Sequence, residues 1–218
     1  RASCIIRACG QVQACSRLAK VFDIILTVGN IMNEGSFKGG AMGFTLDSLL
    51  KLSQTRASDN KTTVVDYLVA TVKKRDPDLL NFVDELQDVE QASKLSNRDV
   101  TAEVTALRRG MAGVKSTVAA EQGEGNEGSG FLVSSAGFLV HGEPELCAVE
   151  KLGKDMAAAC QSVAMYFGED PETCASQHVF KVVQTFTSTV LACARKAEAA
   201  AVAAARRGIG RSANASGK

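Results

Sequence analysis

Tryptophan is absent from these 218 residues, and tyrosine occurs only twice. A platform for stacking nucleic-acid bases needs several aromatic faces, so the composition argues against one. Neither sign of charge dominates: 25 Lys and Arg stand against 24 Asp and Glu, a net charge of +1. That balance supplies no bulk attraction to a polyanion, and no nucleic-acid partner is expected. No apolar run is long enough to cross a bilayer, so no membrane insertion is expected. Arg1 to Gly10 lacks the apolar stretch of a signal peptide, and the first residue is not Met. The chain reads as a soluble, cytoplasmic piece that begins mid-structure. Histidine occurs twice, as His141 and His178, and neither falls into a zinc-ligand pattern with the seven cysteines. Cys4, Cys9, Cys15, Cys147, Cys160, Cys174 and Cys193 include no Cys-x-x-Cys pair. They read as buried or half-buried thiols in a reducing compartment, with no metal and no cofactor. No nucleophile and base stand in a recognisable arrangement, so the chain does not read as an enzyme. Gly39-Gly40-Ala41-Met42-Gly43 has no Gly-Lys-Ser/Thr after it and no strand before it. It is a connector, not a phosphate loop.

Helical periodicity is what the sequence has. Leu18, Val21, Phe22, Ile25 and Val28 recur at steps of three and four, one apolar face of a helix that Gly29 and Asn30 are expected to stop. Glu34 to Gly43 reads as a loop, Leu46, Leu49 and Leu50 as a short helix, and Ser53 to Asn60 as a polar turn. Val65, Leu68, Val69 and Val72 mark another amphipathic helix. Asp76-Pro77 is expected to cap and start a helix bearing Leu79, Leu80 and Phe82, and Asp84 to cap one bearing Leu86 and Val89. Ser96 and Asp99 resemble a capping box. They lead into Val100, Val104, Leu107, Met111, Val114 and Val118, a heptad seam that fits either an ordinary packed helix or a coiled coil. Gly123 to Gly130 reads as a flexible linker. A second long pattern runs through Phe131, Phe138, Leu146, Val149, Leu152, Met156, Cys160, Val163 and Phe167. Gly142 and Pro144 are expected to break or kink it, and Gly168 and Pro171 to end it. Phe131 to Val133 and Phe138 to Val140 are short enough for a hairpin, but their period favours helix. The last helix carries Val179, Val183, Phe186, Val190 and Cys193. Its continuation, Ala197 to Ala205, favours helix with little to bury, and Gly208 to Lys218 is expected to be disordered. The fold class is all-α: an elongated helical bundle with long coiled-coil-like helices.

One constellation is more specific. Val28-Gly29-Asn30-Ile31-Met32-Asn33-Glu34-Gly35-Ser36, followed by Gly43-Phe44-Thr45-Leu46-Asp47-Ser48-Leu49, closely resembles the signature of formin homology-2 domains. The resemblance continues through Lys51-Leu52, Thr55-Arg56, Asp59-Asn60-Lys61-Thr62-Thr63 and Tyr67-Leu68. It extends into Pro77 to Leu86 and Ala92-Ser93-Lys94, in family order and spacing. It is weaker beyond, where Phe131, Phe138, Phe167 and Tyr166 to Pro171 fall at family-like positions.

The resemblance implies an actin-binding module that acts in nucleation and barbed-end elongation of filaments, in a cytoplasmic, cytoskeletal setting. It also implies a formin homodimer, in which the lasso of one subunit wraps the post of the other. Residues 1–198 resemble the post and coiled-coil regions, with the lasso, linker and most of the knob absent; residues 199–218 are an Ala-rich helix end and basic tail. With three prolines there is no proline-rich region of the kind that recruits profilin–actin. Gly29, Asn30, Met32, Asn33, Gly43 and Phe44 match the lasso-receiving segment. Gly29 would allow close backbone approach, and the Asn30 and Asn33 amides would bond an incoming strand; alternatively these residues cap a helix and order a loop. Arg56 and Lys61 match basic actin-contact positions, against the alternative of ordinary solvated charge. A second functional reading is a noncatalytic helical scaffold that keeps the fold without assembling actin.

Overall fold

The computed structural model describes residues 1–37, 39–52, 54–56, 62–123 and 130–215, with side chains through Ala204. The described residues include eight α-helices and one 3-10 helix: α1 (Ala2–Ala14), α2 (Ser16–Met32), α3 (Ser48–Leu52), α4 (Val64–Arg75), the 3-10 helix (Pro77–Glu85), α5 (Val89–Ala92), α6 (Asn97–Gly123), α7 (Gly130–Tyr166) and α8 (Ser176–Ala215). There is no strand among them, only an isolated antiparallel bridge between Arg56 and Thr63. The all-α expectation holds.

A single core joins α1, α2, α4, the 3-10 helix, α7 and α8, with Phe82, Phe180 and Phe186 among its fully buried side chains. Helix α1 lies along α7, α4 along α8, and α2 against the 3-10 helix. The periodic residues of the last helix, Val179, Val183, Phe186 and Val190, are all buried, whereas Ala201 to Ala204 are exposed, as expected of a stretch with little to cover. The heptad residues of α6 pack chiefly on α7, and Val100 joins the central core: Val100, Met111 and Val118 are buried, Val104 and Val114 half-buried, and Leu107 exposed. Arg108 draws the pair together by donating to Glu143 at 2.7 Å and pairing with Glu150, while Lys115 reaches Glu143 at 2.8 Å.

Several local expectations are corrected. Helix α1 has a face of Ile5, Ala8, Cys9 and Val12 at helical spacing that the reading of the sequence passed over. Gly29 and Asn30 do not stop α2, which runs to Met32 and is capped by Asn33. Gly29 keeps a helical backbone there; the left-handed turn falls at Gly35, φ 77°. Asp76 makes no side-chain cap bond, and the segment after Pro77 winds as a 3-10 helix. Asp84 caps nothing: α5 begins at Val89, after Asp88. Helix α7 is continuous through Gly142 and Pro144. Gly142 instead makes room for α6, because a Cβ there would lie 2.9 Å from Met111 Cε. Pro144 and Val140 are both exposed, so the one backbone bond that proline cannot donate is lost on the hydrated side. The tail expected to be disordered from Gly208 is helical through Ala215, continuing the Ala-rich run ahead of it. The linker expected at Gly123 to Gly130, apart from its ends, lies outside the described residues.

Candidate functional site

The most specific stretch of sequence folds into one surface, formed by the end of α2, the loop to α3, and the entry to α4. The end of α2 is closed from within. The Asn33 amide N–H donates to the Gly29 carbonyl at 3.1 Å, and its side-chain Nδ2 donates to the same oxygen at 2.8 Å. The Asn33 carbonyl then accepts from the Ser36 N–H at 3.0 Å and from the Ser36 hydroxyl at 2.8 Å. Asn30 clamps the loop: its Nδ2 donates to the Ala41 carbonyl at 2.9 Å, and its Oδ1 accepts from the Ala41 N–H at 2.7 Å. The pair of bonds copies one rung of a sheet, with a side-chain amide in place of a second strand. Gly39 is needed for close approach, since a Cβ there would meet the Asn33 carbonyl oxygen at 2.7 Å. Gly40 turns the chain at φ 70°.

Phe44 returns the loop to the core. It is half-buried, and its ring meets Phe22 edge-on at 5.8 Å. Gly43, just before it, is exposed with open space around it. Beyond α3 the chain is held by backbone bonds, Thr55 N–H to the Lys51 carbonyl at 2.9 Å and Val64 N–H to the Thr55 carbonyl at 3.0 Å. Thr63 then starts α4 with a complete capping box: its hydroxyl accepts from the Asp66 N–H at 3.1 Å, and its own N–H donates to Asp66 Oδ2 at 3.0 Å. That backbone bond is the main reason the Asp66 carboxyl is held below the usual carboxylate range, against the opposing effect of burial.

Between the two helix ends lies an open groove of about 310 Å³ walled by Val28, Ile31, Met32, Thr63, Val64 and Tyr67. Ile31 is 65% exposed, Met32 54% and Tyr67 56%. Three apolar side chains left in water at one place are unlike the scattered exposure of an ordinary surface. Arg56 is exposed and bridges backbone to backbone with Thr63, which places it at the rim of the same groove. The predicted residues thus divide. Met32 faces the groove, Gly29 has open space around its Cα, and Arg56 stands at the rim. The Asn30 amide bonds the loop at Ala41, and the Asn33 side-chain nitrogen bonds the Gly29 carbonyl of its own helix. Phe44 is turned to the core. Lys61 lies outside the described residues. Ile31, Tyr67 and Thr63 were not singled out as groove residues. Ile31 and Tyr67 carried a signal in being large apolar groups off the buried faces of their helices. Among the described residues no cluster of His, Cys, Asp and Glu is suited to a metal, and no helix is long and apolar enough to cross a membrane.

The family model for the formin homology 2 domain matches residues 1–191. The chain belongs to this family. Formin-like protein 14 of Arabidopsis thaliana is 35% identical over 181 residues, covering 83% of this chain and 15% of the relative. Formin-like protein 3 of Oryza sativa subsp. japonica is 35% identical over 178 residues, covering 82% and 14%. Formin-like protein 16 of Arabidopsis thaliana is 34% identical over 164 residues, covering 75% and 23%. The chain therefore spans less than a quarter of the length of these formin relatives.

Proposed function

We propose that this chain is the post and coiled-coil part of a formin homology 2 domain, a noncatalytic module that binds actin and serves filament nucleation and barbed-end elongation within the complete domain. The observation that carries this reading is the family match across residues 1–191. The groove supports the rest. Its apolar walls and the open space at Gly29 suit an extended apolar segment of a partner subunit, the lasso of a formin homodimer, and Arg56 at its edge suits a carboxylate on actin. The setting implied is the cytoplasmic actin cytoskeleton.

The test uses the formin that contains this domain and measures barbed-end affinity, dimer stability and melting temperature together. Arg56→Ala should slow association with filament ends in a salt-dependent way, as expected for a rim charge, and leave melting unchanged. Ile31→Asp should weaken the dimer and likewise leave melting of the single chain unchanged. An Arg56→Ala protein that melts early, or keeps its full rate of end capture at low salt, removes Arg56 from the actin contact. An Ile31→Asp dimer of undiminished stability removes the groove from the dimer interface.

A further inference from the structure

The sequence holds five methionines, and the fold grades their exposure. Met111 and Met156 are buried, while Met42, in the Gly-rich loop, is 98% exposed. Met165 is exposed near the end of α7. Met32 differs from all four in its place. It is the last residue of α2, more than half exposed, and it walls the groove beside Val28, Ile31, Val64 and Tyr67. Its thioether is thus open to small oxidants while the groove is uncovered, and it is also part of the apolar surface that a partner has to cover.

The groove around Met32 suits a thioether better than a polar group. Val28 and Ile31 make one wall hydrocarbon, and Val64 and the Tyr67 ring face it. The cap groups nearby are already in use. The Thr63 hydroxyl donates to Asp66 Oδ2 at 2.9 Å and accepts from the Asp66 N–H at 3.1 Å. Asn33 Nδ2 is committed to the Gly29 carbonyl, and Asn30 Nδ2 to the Ala41 carbonyl. A sulfoxide oxygen at Met32 would be a strong acceptor. Water hydrates it in the open groove, and an apolar segment laid over the groove takes that water away. The cap of α2 is built from Asn33 and the Gly29 carbonyl, so a change at the Met32 sulfur alters the surface and leaves the helix end in place.

We propose that Met32 is an oxidation-sensitive contact of this groove, a modification site at which hydrogen peroxide converts the thioether to a sulfoxide and so bars the partner's apolar segment. The proposal rests on the reading of the groove as the seat of a partner subunit's segment. A sulfur lone pair attacks one peroxide oxygen; the S–O bond forms as the O–O bond breaks, and the departing hydroxide takes the proton of the transferred oxygen. One thioether and one hydrogen peroxide give one sulfoxide and one water, with sulfur giving up two electrons and the peroxide gaining them. The reaction needs the groove uncovered. A seated segment therefore protects Met32, and a sulfoxide formed while the subunits are apart keeps them apart until it is reduced.

The experiment takes the formin that contains this domain and treats it with hydrogen peroxide, once as the dimer and once diluted until the subunits separate. Dithiothreitol then returns any oxidised thiols. Peptide mass spectrometry reads the sulfoxide at each methionine, and sedimentation reads the dimer. Met42 should oxidise alike in both samples, Met32 several-fold faster in the separated subunits, and the buried Met156 last. Protein oxidised while dilute should re-form its dimer about tenfold more weakly or worse, the effect of covering one unpaired polar group. Methionine sulfoxide reductase should restore it. Met32→Leu keeps the apolar volume, so it should dimerise like the parent and lose the peroxide sensitivity. A Met32→Leu dimer as peroxide-sensitive as the parent overturns the proposal, and so does an undiminished dimer with Met32 fully oxidised. Equal rates of Met32 oxidation in the two samples, with Ile31→Asp still weakening the dimer, remove Met32 from the contact and leave the groove as the interface. An Ile31→Asp dimer of undiminished stability overturns both readings.

Discussion

Phe44→Ala measures how firmly the loop between α2 and α3 is tied to the core. The Phe44 ring meets Phe22 with centroids 5.8 Å apart and planes at 88°, and Phe22 in turn faces Phe167 at 6.3 Å and Phe186 at 6.1 Å. Full burial of a phenylalanine side chain contributes about 1.5–3 kcal/mol. Phe44 is half-buried, so its transfer share is roughly 1–1.5 kcal/mol. The edge-to-face contact adds about 0.5–1.5 kcal/mol. The cavity contribution is small, because one side of the ring borders an exposed, Gly-rich loop that can close over the space. The expected loss is about 2 kcal/mol, below the ~3–5 kcal/mol typical of a wholly buried Phe→Ala change. In urea, with a slope of about 2 kcal/mol/M, the midpoint should fall by about 1 M at unchanged slope. Circular dichroism at 222 nm reads it. The contact itself is isolated by a double-mutant cycle with Phe22→Ala, where a coupling of about 0.5–1.5 kcal/mol is expected. A loss under about 0.5 kcal/mol, or additive single mutants, would refute the anchoring role.

Gly39→Ala places a methyl 2.7 Å from the Asn33 carbonyl oxygen, a backbone atom that cannot rotate aside. The loop should shift and release the Asn30–Ala41 clamp, seen as lost hydrogen-exchange protection at the Ala41 amide; retained protection would show that the close approach is dispensable. Asp88 accepts from Arg7 at 2.7 Å and from Gln11 at 2.9 Å, and the Arg7 hydrogen bond is the largest cause holding its carboxyl below the ordinary value of 3.8. A lowered folded value means the unfolded chain takes up the proton first. The contribution is therefore complete above the ordinary value and lost as pH falls from there through the lowered one. Asp88→Asn should flatten the acid limb of the stability–pH curve in that window, and an unchanged limb would assign the acid loss to other carboxylates.

Where burial repeats at helical spacing, the fold was legible. The residues marking α2, α4 and α8 are nearly all in the core, because a stripe of apolar side chains at steps of three and four has one way to leave water. Termini were less legible. Gly29 reads as a stop, yet an open helical backbone and Asn33 four residues later carry α2 onward. Asp76 and Asp84 look like caps, and neither makes a cap bond; Asp88, just before α5, is drawn instead to Arg7 and Gln11 on α1, far away in sequence. The break between α1 and α2 rests on Cys15, whose sulfur accepts from the Leu18 N–H at 3.4 Å, a cap outside the usual Ser, Thr, Asp and Asn set. Pro144 shows the converse. Its effect depends on whether water reaches the freed carbonyl, which only the exposure of that face of α7 decides.

The site was legible as a stretch of chain but not as a surface. Gly29, Asn30, Met32 and Asn33 are adjacent in sequence, yet they point to different tasks because successive residues of a helix turn by about a quarter circle. Asn30 turns to the loop and Asn33 back to the Gly29 carbonyl of its own helix, while Ile31 and Met32 are left facing the groove. A string of matching letters does not separate those two roles; the hydrogen bonds do. The second wall of the groove comes from Val64 and Tyr67 on α4, brought there by the capping box at Thr63 and the short bridge to Arg56. Tyr67 belongs to a helix whose buried residues are Val64, Val65, Leu68, Val69 and Val72, so its exposure marks it as the residue out of register with the core. Asn30 fixes the loop that follows Ile31 and Met32, so an Asn30 substitution should change the groove through the position of that loop.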